Sequence, residues 1–483
     1  MRLLLSHLFL ICCVMMCAGQ AKRNSGLALL KDRASKNIDS DYERFSKIAL
    51  EIWNFAEVGY KENESSALLA RTLEENGFTV ESGIAGIPTA FVATFGTGQP
   101  VIGILAEYDA LPGLSQDATS ERKPIPGQSA GHGCGHHLFG TASVAAGIEL
   151  KKLIEQKKLD GTIKVFGTPA EEGGSGKVYM VRAGLFNDVD AVLHWHPGDR
   201  NEVTMSSALA NKSAKFRFYG VSAHASSAPD KGRSALDGVE SLNYMVNMMR
   251  EHIPGDTRIH YVITEGGQAP NVVPNFAEVY YYVRHPRRDQ TVATFDRIVN
   301  AAKGAALGTE TTMDFEIIGG THDLLINKTL AKVMYENLKS VGGVHYDAND
   351  VRFAEKIQST FQDSQASITS AGSIVPLRTE VNTWPASTDV GDVSYVAPTV
   401  GLYAATWVPG TAAHSWQAVA CGATPIGMKG MIVAAKTMAL TGIDLFSDPV
   451  VIQKAKAELV QSVGEYKYEA LLGERKPALN YRD

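Results

Sequence analysis

The stretch Gly131-His-Gly-Cys-Gly-His-His137 gathers a thiol and three imidazoles in one glycine-rich run. Cys134 and His136 are two residues apart, so both can reach one metal ion from a tight loop, and the glycines let the backbone turn closely. Alone, the run fits a solvated turn as well. Three other places add to it. Glu171-Glu172 comes just after a strand-like run at 163–166. Adjacent carboxylates there cost energy unless a metal or cations offset their repulsion; exposed loop charges are the plain alternative. His194-Trp-His196-Pro197 closes another apolar run, and the histidines of an i, i+2 pair on a strand face one side. His414 stands alone in Ala412-Ala-His-Ser-Trp416, where a core or surface role is the alternative.

Together Cys134, His136, Glu172, His196 and His414 offer one thiolate, three imidazoles and one carboxylate. That mix suits zinc or a similar first-row divalent ion. Two such ions sharing a water would lower its pKa and make a nucleophile at neutral pH. A carboxylate beside that water can take its proton and pass it to a leaving amine. Glu171 is the natural general base, with Glu172 holding metal.

These residues need elements to position them. Tyr42, Phe45, Ile48, Ile52 and Phe55 recur at helical spacing, and 40–76 reads as helical with Gly77 as its stop. Residues 89–95 and 101–105 read as strands, the second buried and ending at Glu107-Tyr-Asp109-Ala-Leu-Pro112. A small-residue helix comes next at 138–154, then strands at 163–166 and 191–193. Strands alternating with helices predict an α/β sheet, and polar groups just past the carboxyl ends of its strands are where ligands bind. The pattern changes near Ser206. Strands at 214–219, 259–264, 277–283 and 313–318, with helices at 234–250 and 290–306, predict a separate α+β unit of ββαβ-like character. The α/β pattern returns near Val400, so the second unit is an insertion. The expected division is 1–21 as a signal peptide, 22–207 and 323–483 as the two parts of one α/β domain, and 208–322 as the inserted domain with a four-stranded sheet. Residues 347–373 read as polar helix or loop.

With 483 residues the chain is too long for one ordinary core. A net charge of -6 argues against a nucleic-acid partner, which needs a basic face. Met1-Arg2, the apolar run to Met16 and the small residues Ala18, Gly19 and Ala21 read as a secretory signal peptide. An uncleaved N-terminal anchor is the alternative, and Met15 and Met16 fit a lipidation motif at Cys17 poorly. Export to a periplasmic or extracellular location is expected, and no later stretch reads as a membrane span. Of five cysteines, Cys12, Cys13 and Cys17 lie in that segment. The remaining two, Cys134 and Cys421, could form a bridge, although the setting of Cys134 suggests a metal.

Read in order, the motifs resemble the zinc peptidase and amidohydrolase superfamily that contains aminoacylase, hippurate hydrolase and the auxin-conjugate hydrolases. Within it they are most similar to the group formed by the B-type subunit of p-aminobenzoyl-glutamate hydrolase. They are Leu105-Ala-Glu-Tyr-Asp-Ala-Leu-Pro-Gly113, Gly131-His-Gly-Cys-Gly-His136, Thr168-Pro-Ala-Glu-Glu-Gly173, Trp195-His-Pro197, Gly220-Val-Ser-Ala-His-Ala225, Asn271-Val-Val-Pro274, Ser387-Thr-Asp-Val-Gly-Asp-Val-Ser394 and His414-Ser-Trp416. The resemblance spans 37–448. It implies a catalytic domain with a mixed, mostly parallel sheet flanked by helices, interrupted by a lid that also makes a homodimer. It implies two divalent ions, zinc or manganese, on Cys134, His136, Glu172, His196 and His414, with Glu171 as general base. Asp109 takes the place of an aspartate that orients a metal-ligating or basic group. His224 matches a lid histidine that reaches the partner subunit's site and polarises the scissile carbonyl. Asn271 and Arg284 fall in motifs that contact substrate carbonyl and carboxylate, and an arginine suits a carboxylate through bidentate geometry; Arg284 also fits an ordinary charge at a sheet end. Asp389 and Asp392 either cap a helix or support the site from behind. His137 departs from the acidic or amide residue of many relatives. Glu107 sits where other branches carry a metal-ligating histidine or an aspartate, and is given no ligand role. His132 and His194 join His137 as groups behind the ligands.

The expected activity is hydrolysis of an amide joining an acyl or aroyl group to an amino acid, as in p-aminobenzoyl-glutamate. A dipeptidase or aminoacylase of the same chemistry is the alternative, because specificity lies in pocket shape. An exported binding protein without turnover is a rival of a different class. The expected partners are a small N-acyl amino acid or dipeptide, a second copy of the chain and a possible second subunit.

Overall fold

The computed structural model describes residues 26–363 and 366–483. The expected signal segment, with Cys12, Cys13 and Cys17, lies outside the described residues. Strands are named in chain order. In the larger domain they begin with β1 (Thr79–Ser82), β2 (Phe91–Thr97), β3 (Val101–Ala106), β4 (Gly161–Gly167), β5 (Ala191–Gly198) and β6 (Glu202–Val203). The inserted domain holds β7 (Ala210–Tyr219), β8 (Arg258–Glu265), β9 (Phe276–His285) and β10 (Thr312–Thr321), and β11 (Thr399–Ala405) returns to the larger domain.

The larger sheet has the order β1-β2-β4-β3-β5-β11-β6. Its four central strands, β4, β3, β5 and β11, run parallel. The strands β1, β2 and β6 are antiparallel to their neighbours. β3, Val-Ile-Gly-Ile-Leu-Ala, is buried at every position, as a parallel strand covered on both faces must be. The helices His136–Glu155 and Pro425–Ser447 pack on each other and on this sheet. Pro425–Ser447 amends one expectation. It is 23 residues long and holds an 18-residue window of mean hydropathy 1.2, enough by length and composition to cross a membrane, yet 83% of that window is buried inside the protein. Most of its surface is apolar because it faces core, and its charged residues Lys429, Lys436 and Asp444 are paired at the edge with Asp347, Asp39 and Lys31.

The smaller sheet has the order β8-β9-β7-β10, with every pairing antiparallel. Helices Ala235–Met249 and Arg288–Gly308 cover one face of it. Phe216, Phe218, Val239, Leu242, Tyr281 and Phe295 form a core separate from that of the larger domain. Alternate residues of β9 explain this: Ala277, Val279, Tyr281 and Val283 are buried while Tyr280, Tyr282 and Arg284 lie on the other face. The chain order of this unit is βαββαβ, the expected ββαβ run preceded by one more strand and helix. The helix expected at 40–76 is two helices, Tyr42–Phe55 and Asn63–Glu75, broken where Ala56 and Tyr60 take left-handed backbone angles. Residues 347–373 contain one α-helix, Ala348–Gln358, started by a capping box on Asp347.

Candidate active site

Parallel strands end at one edge of a sheet, so the loops leaving them converge there. β3 delivers Glu107 and Asp109, the turn after β4 delivers Glu171 and Glu172, and β5 carries His196 close to its end. The loop before the helix His136–Glu155 adds Cys134. Gly135 is its left-handed N-cap at φ 74, and a Cβ there would lie 2.7 Å from Pro197. A glycine is therefore required for Cys134 and His136 to sit beside His196. His414 comes from a loop tied to the same place, its N–H donating to the Gly133 carbonyl at 3.0 Å. Its φ of 58 is unusual for a residue with a side chain.

Among the described residues three sets of donor atoms lie within 4.8 Å of one another: those of Cys134, His136 and His196, those of Cys134, Glu172 and His414, and those of Glu107, His136 and Glu171. The first two share Cys134 and hold all five expected ligands. His414 Nε2 stands 3.1 Å from the Cys134 sulfur and 3.3 Å from Glu172 Oε1. The imidazoles of His136, buried, and His196, half-buried, are both oriented by Nδ1. His136 Nδ1 is 2.9 Å from Asp109 Oδ1, and His196 Nδ1 is 2.7 Å from the Pro197 carbonyl oxygen. Donation through Nδ1 leaves each Nε2 as a lone-pair donor, the arrangement metal-binding histidines use. All five expected ligands are thus brought together.

The buried atoms fit divalent cations. His136 Nε2 and Glu107 Oε2 are 3.0 Å apart, yet both lack a hydrogen-bond partner. Glu107, Asp109 and Cys134 are buried here, with Glu171 and Glu172 half-buried beside them. Burial pushes the Glu171 carboxyl well above the usual carboxylate range, with Glu107 and Glu172 adding to it. Burial also raises the Cys134 thiol, helped by Glu172. Burial opposes a charge on His136, but Asp109 and Glu107 outweigh it and hold that imidazole up to about 10. Such a concentration of acids is stable only with positive charge among them. Among the described residues, glycine-flanked Cys134 is also free, as is Cys421, so the bridge between them is not formed.

Other expected residues stand further out. Asp109 serves both sets, since its Oδ2 accepts the Glu172 N–H at 2.9 Å. Asp389 does not cap its own helix, Val390–Ser394. Instead it accepts from the Lys177 N–H at 3.0 Å and from Lys177 Nζ at 2.7 Å. Asp392 is occupied by His322 and Tyr468. His132 meets the Ile52 carbonyl and His137 the Gly422 carbonyl, their rings 4.8 Å apart. They fix the loop rather than orient His136, which Asp109 does. His194 packs its ring on Gly401, two residues before His196 on β5. On the lid, His224 is exposed, pairs with Val272, and accepts at Nδ1 from the Ser226 and Ser227 N–H groups. Asn271 lies beside it, its carbonyl accepting from the Ala225 N–H. Arg284 lines a different space, a cavity of about 770 Å³ with Arg258, His260, Tyr282 and Thr383. The hydrogen bonds of His224 and Asn271 stay within the lid, and Arg284 faces that cavity, so the chain's own fold does not join these three residues to the five ligands.

Two buried residues escaped the sequence. Lys177 is fully buried and bridges Glu107, at 2.6 Å, to Asp389. Glu62 accepts from the Ala170 N–H at 2.8 Å and from the Thr89 hydroxyl at 3.0 Å. The lysine after Gly174-Ser-Gly176 was the one local signal for the first; the second had none.

Comparison with known proteins agrees with this architecture. Residues 103–373 match the model of peptidase family M20/M25/M40. The chain is 41% identical over 457 residues to the B-type subunit of p-aminobenzoyl-glutamate hydrolase from Escherichia coli (strain K12), covering 89% of this chain and 95% of that protein. It is 28% identical to the Xaa-Arg dipeptidase of Mus musculus, covering 89% and 92%. Among solved structures, an aminobenzoyl-glutamate utilization protein from Klebsiella pneumoniae superposes with a TM-score of 0.60 at 18% identity, over 85% of this chain and 97% of that one. A dinuclear metal-binding M20 peptidase from Bacillus subtilis superposes with a TM-score of 0.59 at 17% identity, over 85% and 99%. The chain, with its interrupted α/β domain and its pair of donor sets sharing one cysteine, belongs to the M20/M25/M40 family of metal-dependent hydrolases and acts on amide bonds.

Proposed function

We propose that the chain hydrolyses the amide bond of N-acyl or aroyl amino acids, with p-aminobenzoyl-glutamate as the leading substrate. The observation that carries this is the pair of donor sets meeting at Cys134, with Glu171 half-buried beside them, within 4.8 Å of His136 and Glu107 donor atoms. Cys134, His136, Glu172, His196 and His414 would hold two divalent ions, zinc or manganese. Such ions supply Lewis acidity, which acidifies water and polarises a carbonyl.

The chain's own residues do the rest. Asp109 and the Pro197 carbonyl keep the two imidazoles in the Nε2-donating form. Glu171, raised by burial, is suited to accept a proton from the attacking water and return it to the departing nitrogen. Lys177 holds Glu107 and Asp389 in place behind it. His224 has Nδ1 satisfied by backbone N–H groups, so Nε2 is the free edge. We assign it to the neighbouring subunit's site in a homodimer formed through the lid, where it would donate to the developing oxyanion. Asn271, beside it, would contact the substrate carbonyl. Arg284, with its buried Nε lacking a partner, is the candidate for a substrate carboxylate. The 41% likeness to one subunit of p-aminobenzoyl-glutamate hydrolase supports that substrate and a second subunit, and the 28% likeness to a dipeptidase keeps a dipeptide as the second reading. Export by residues 1–21 is part of the same proposal.

The test is a panel of p-aminobenzoyl-glutamate, N-acyl amino acids and dipeptides, offered to the zinc- or manganese-loaded protein. Release of free glutamate from p-aminobenzoyl-glutamate is expected, and its loss in Glu171→Gln by a factor of about 10² to 10⁴. Binding without release across the panel would favour an exported binding protein.

A further inference from the structure

The turn that presents Glu171 and Glu172 is held in an unusual shape. Ala170 (φ 58) and Ser175 (φ 59) both take the left-handed conformation despite their side chains. Such residues persist only where the surroundings over-determine them. On the inner side, Glu62 holds the Ala170 N–H and Asp109 holds the Glu172 N–H, at 2.8 and 2.9 Å. The outer side is held by residues from the far end of the chain. The Tyr481 hydroxyl donates to the Glu172 carbonyl oxygen at 3.1 Å, and Arg482 Nη2 donates to the same oxygen at 2.5 Å. Tyr481 stacks edge-on against Tyr60, ring centroids 5.6 Å apart, and the Tyr60 hydroxyl donates to the Gly174 carbonyl at 2.7 Å. Asp483 pairs with Lys61 at 2.7 Å.

The segment 464–483 also touches the lid before it reaches this turn. Arg475 Nη1 donates to Glu316 Oε1 at 2.5 Å and to the Ile317 carbonyl at 2.9 Å, both on β10. Arg182, on the helix that comes after the turn, donates to the carbonyls of Gly473 and Arg475. Segment 464–483 therefore runs from the lid sheet to the backbone of one residue in the donor set.

We propose that Tyr481 and Arg482 are positioning residues for Glu172. With its N–H on Asp109 and its carbonyl on Tyr481 and Arg482, both peptide planes flanking the Glu172 Cα are fixed. The carboxylate then has only its own side-chain torsions left to set. Without the outer clamp, the peptide between Glu172 and Gly173 keeps only the bond from the Gly173 N–H to the Glu171 carbonyl at 2.7 Å, and Gly173, at φ 98 and without a side chain, adds little resistance to its rotation. The guanidinium of Arg482 also brings positive charge to a turn that carries two adjacent acids. The inference rests on Glu172 being a metal ligand.

Full-length protein with Tyr481→Phe, Arg482→Met or both tests it. Zinc affinity is read by competition with a fluorescent chelator, and ligand geometry by the visible spectrum of the cobalt-loaded protein. The double variant is expected to lose about tenfold in zinc affinity, as groups supporting a metal ligand do. Its cobalt spectrum should shift, and kcat should fall with KM little changed; Arg482→Lys should restore most of the affinity. Unchanged zinc affinity and an unchanged cobalt spectrum in the double variant would overturn the proposal. Should the double variant fail to fold, Tyr481→Phe keeps the ring packed on Tyr60 and removes only the hydroxyl. A loss of affinity in it supports the clamp, and wild-type affinity overturns it. A wild-type chain that binds no zinc at all would instead overturn the metal reading of the site, a separate result.

Discussion

Asp109 and His136 form the contact on which the geometry of the site turns: Asp109 Oδ1 lies 2.9 Å from His136 Nδ1, inside a fully buried pair. The other oxygen of Asp109 accepts from the Glu172 backbone, so one carboxylate aligns a member of each donor set. Asp109→Asn cannot serve both, because its amide group would face a donor on one side. A loss of metal affinity of about 10- to 100-fold is expected. Chelator competition on the purified variant measures it, with circular dichroism to verify the fold.

Lys177 is the next point of leverage. Its ammonium is fully buried between Glu107 and Asp389, and these carboxylates outweigh the effect of burial and raise its pKa. Lys177→Met would leave two buried carboxylates without their cation. That should cost about 3–5 kcal/mol in stability. Denaturant unfolding of the metal-free proteins would read this as a lower midpoint with an unchanged slope.

Glu62 supplies a pH dependence. Burial, with the Asp109 carboxylate nearby, pushes its carboxyl up to about 8 from an ordinary value of 4.5. Between those values the native protein holds a proton that the unfolded chain has released. The group's contribution to stability is therefore complete below about pH 4.5 and is lost as pH rises towards about 8. In the metal-free state, Glu62→Gln should flatten that loss, so the melting temperature of the variant minus that of wild type should grow from about pH 5 to about pH 8. Parallel melting curves for the two proteins across that range would remove Glu62 as the cause.

The assignment of His224 to a neighbouring subunit is tested by mixing. His224→Ala and Glu171→Gln should each be nearly inactive alone. In a one-to-one mixture allowed to exchange subunits, about a quarter of the sites would combine an intact Glu171 with an intact His224 from the other copy. Activity near that fraction is expected. No recovery, with mixed dimers demonstrated by mass, would place His224 in its own chain's site or outside the reaction.

Much of this was legible in the sequence, for definable reasons. Val101–Ala106 and Ala191–Leu193 are apolar enough to declare themselves buried strands, and the polar residues just after them fall at the edge where ligands gather. The alternation along β9 made one strand of the four-stranded lid sheet plain. The helix break after Phe55 was hidden because the apolar spacing runs up to it and a single glycine, Gly59, is its one breaker before the next helix begins at Asn63. Lys177 and Glu62 were hidden because their partners, Asp389 and Ala170, are 212 and 108 residues away. A buried charge leaves no periodic trace; only the fold says what neutralises it. The two roles open for Asp389 meet in one side chain: it accepts from the Lys177 N–H at the start of the helix Gly176–Arg182 rather than capping its own, and it pairs with the Lys177 ammonium behind Glu107.

The central proposal is that Cys134 would be a metal ligand shared by the two donor sets that meet at it. Titration of metal-free protein with cobalt(II), read by visible and near-ultraviolet absorption, tests this directly. Two equivalents should bind per chain, with a thiolate-to-cobalt charge-transfer band that disappears in Cys134→Ser. Binding of two equivalents without that band, or no binding at all, would contradict it.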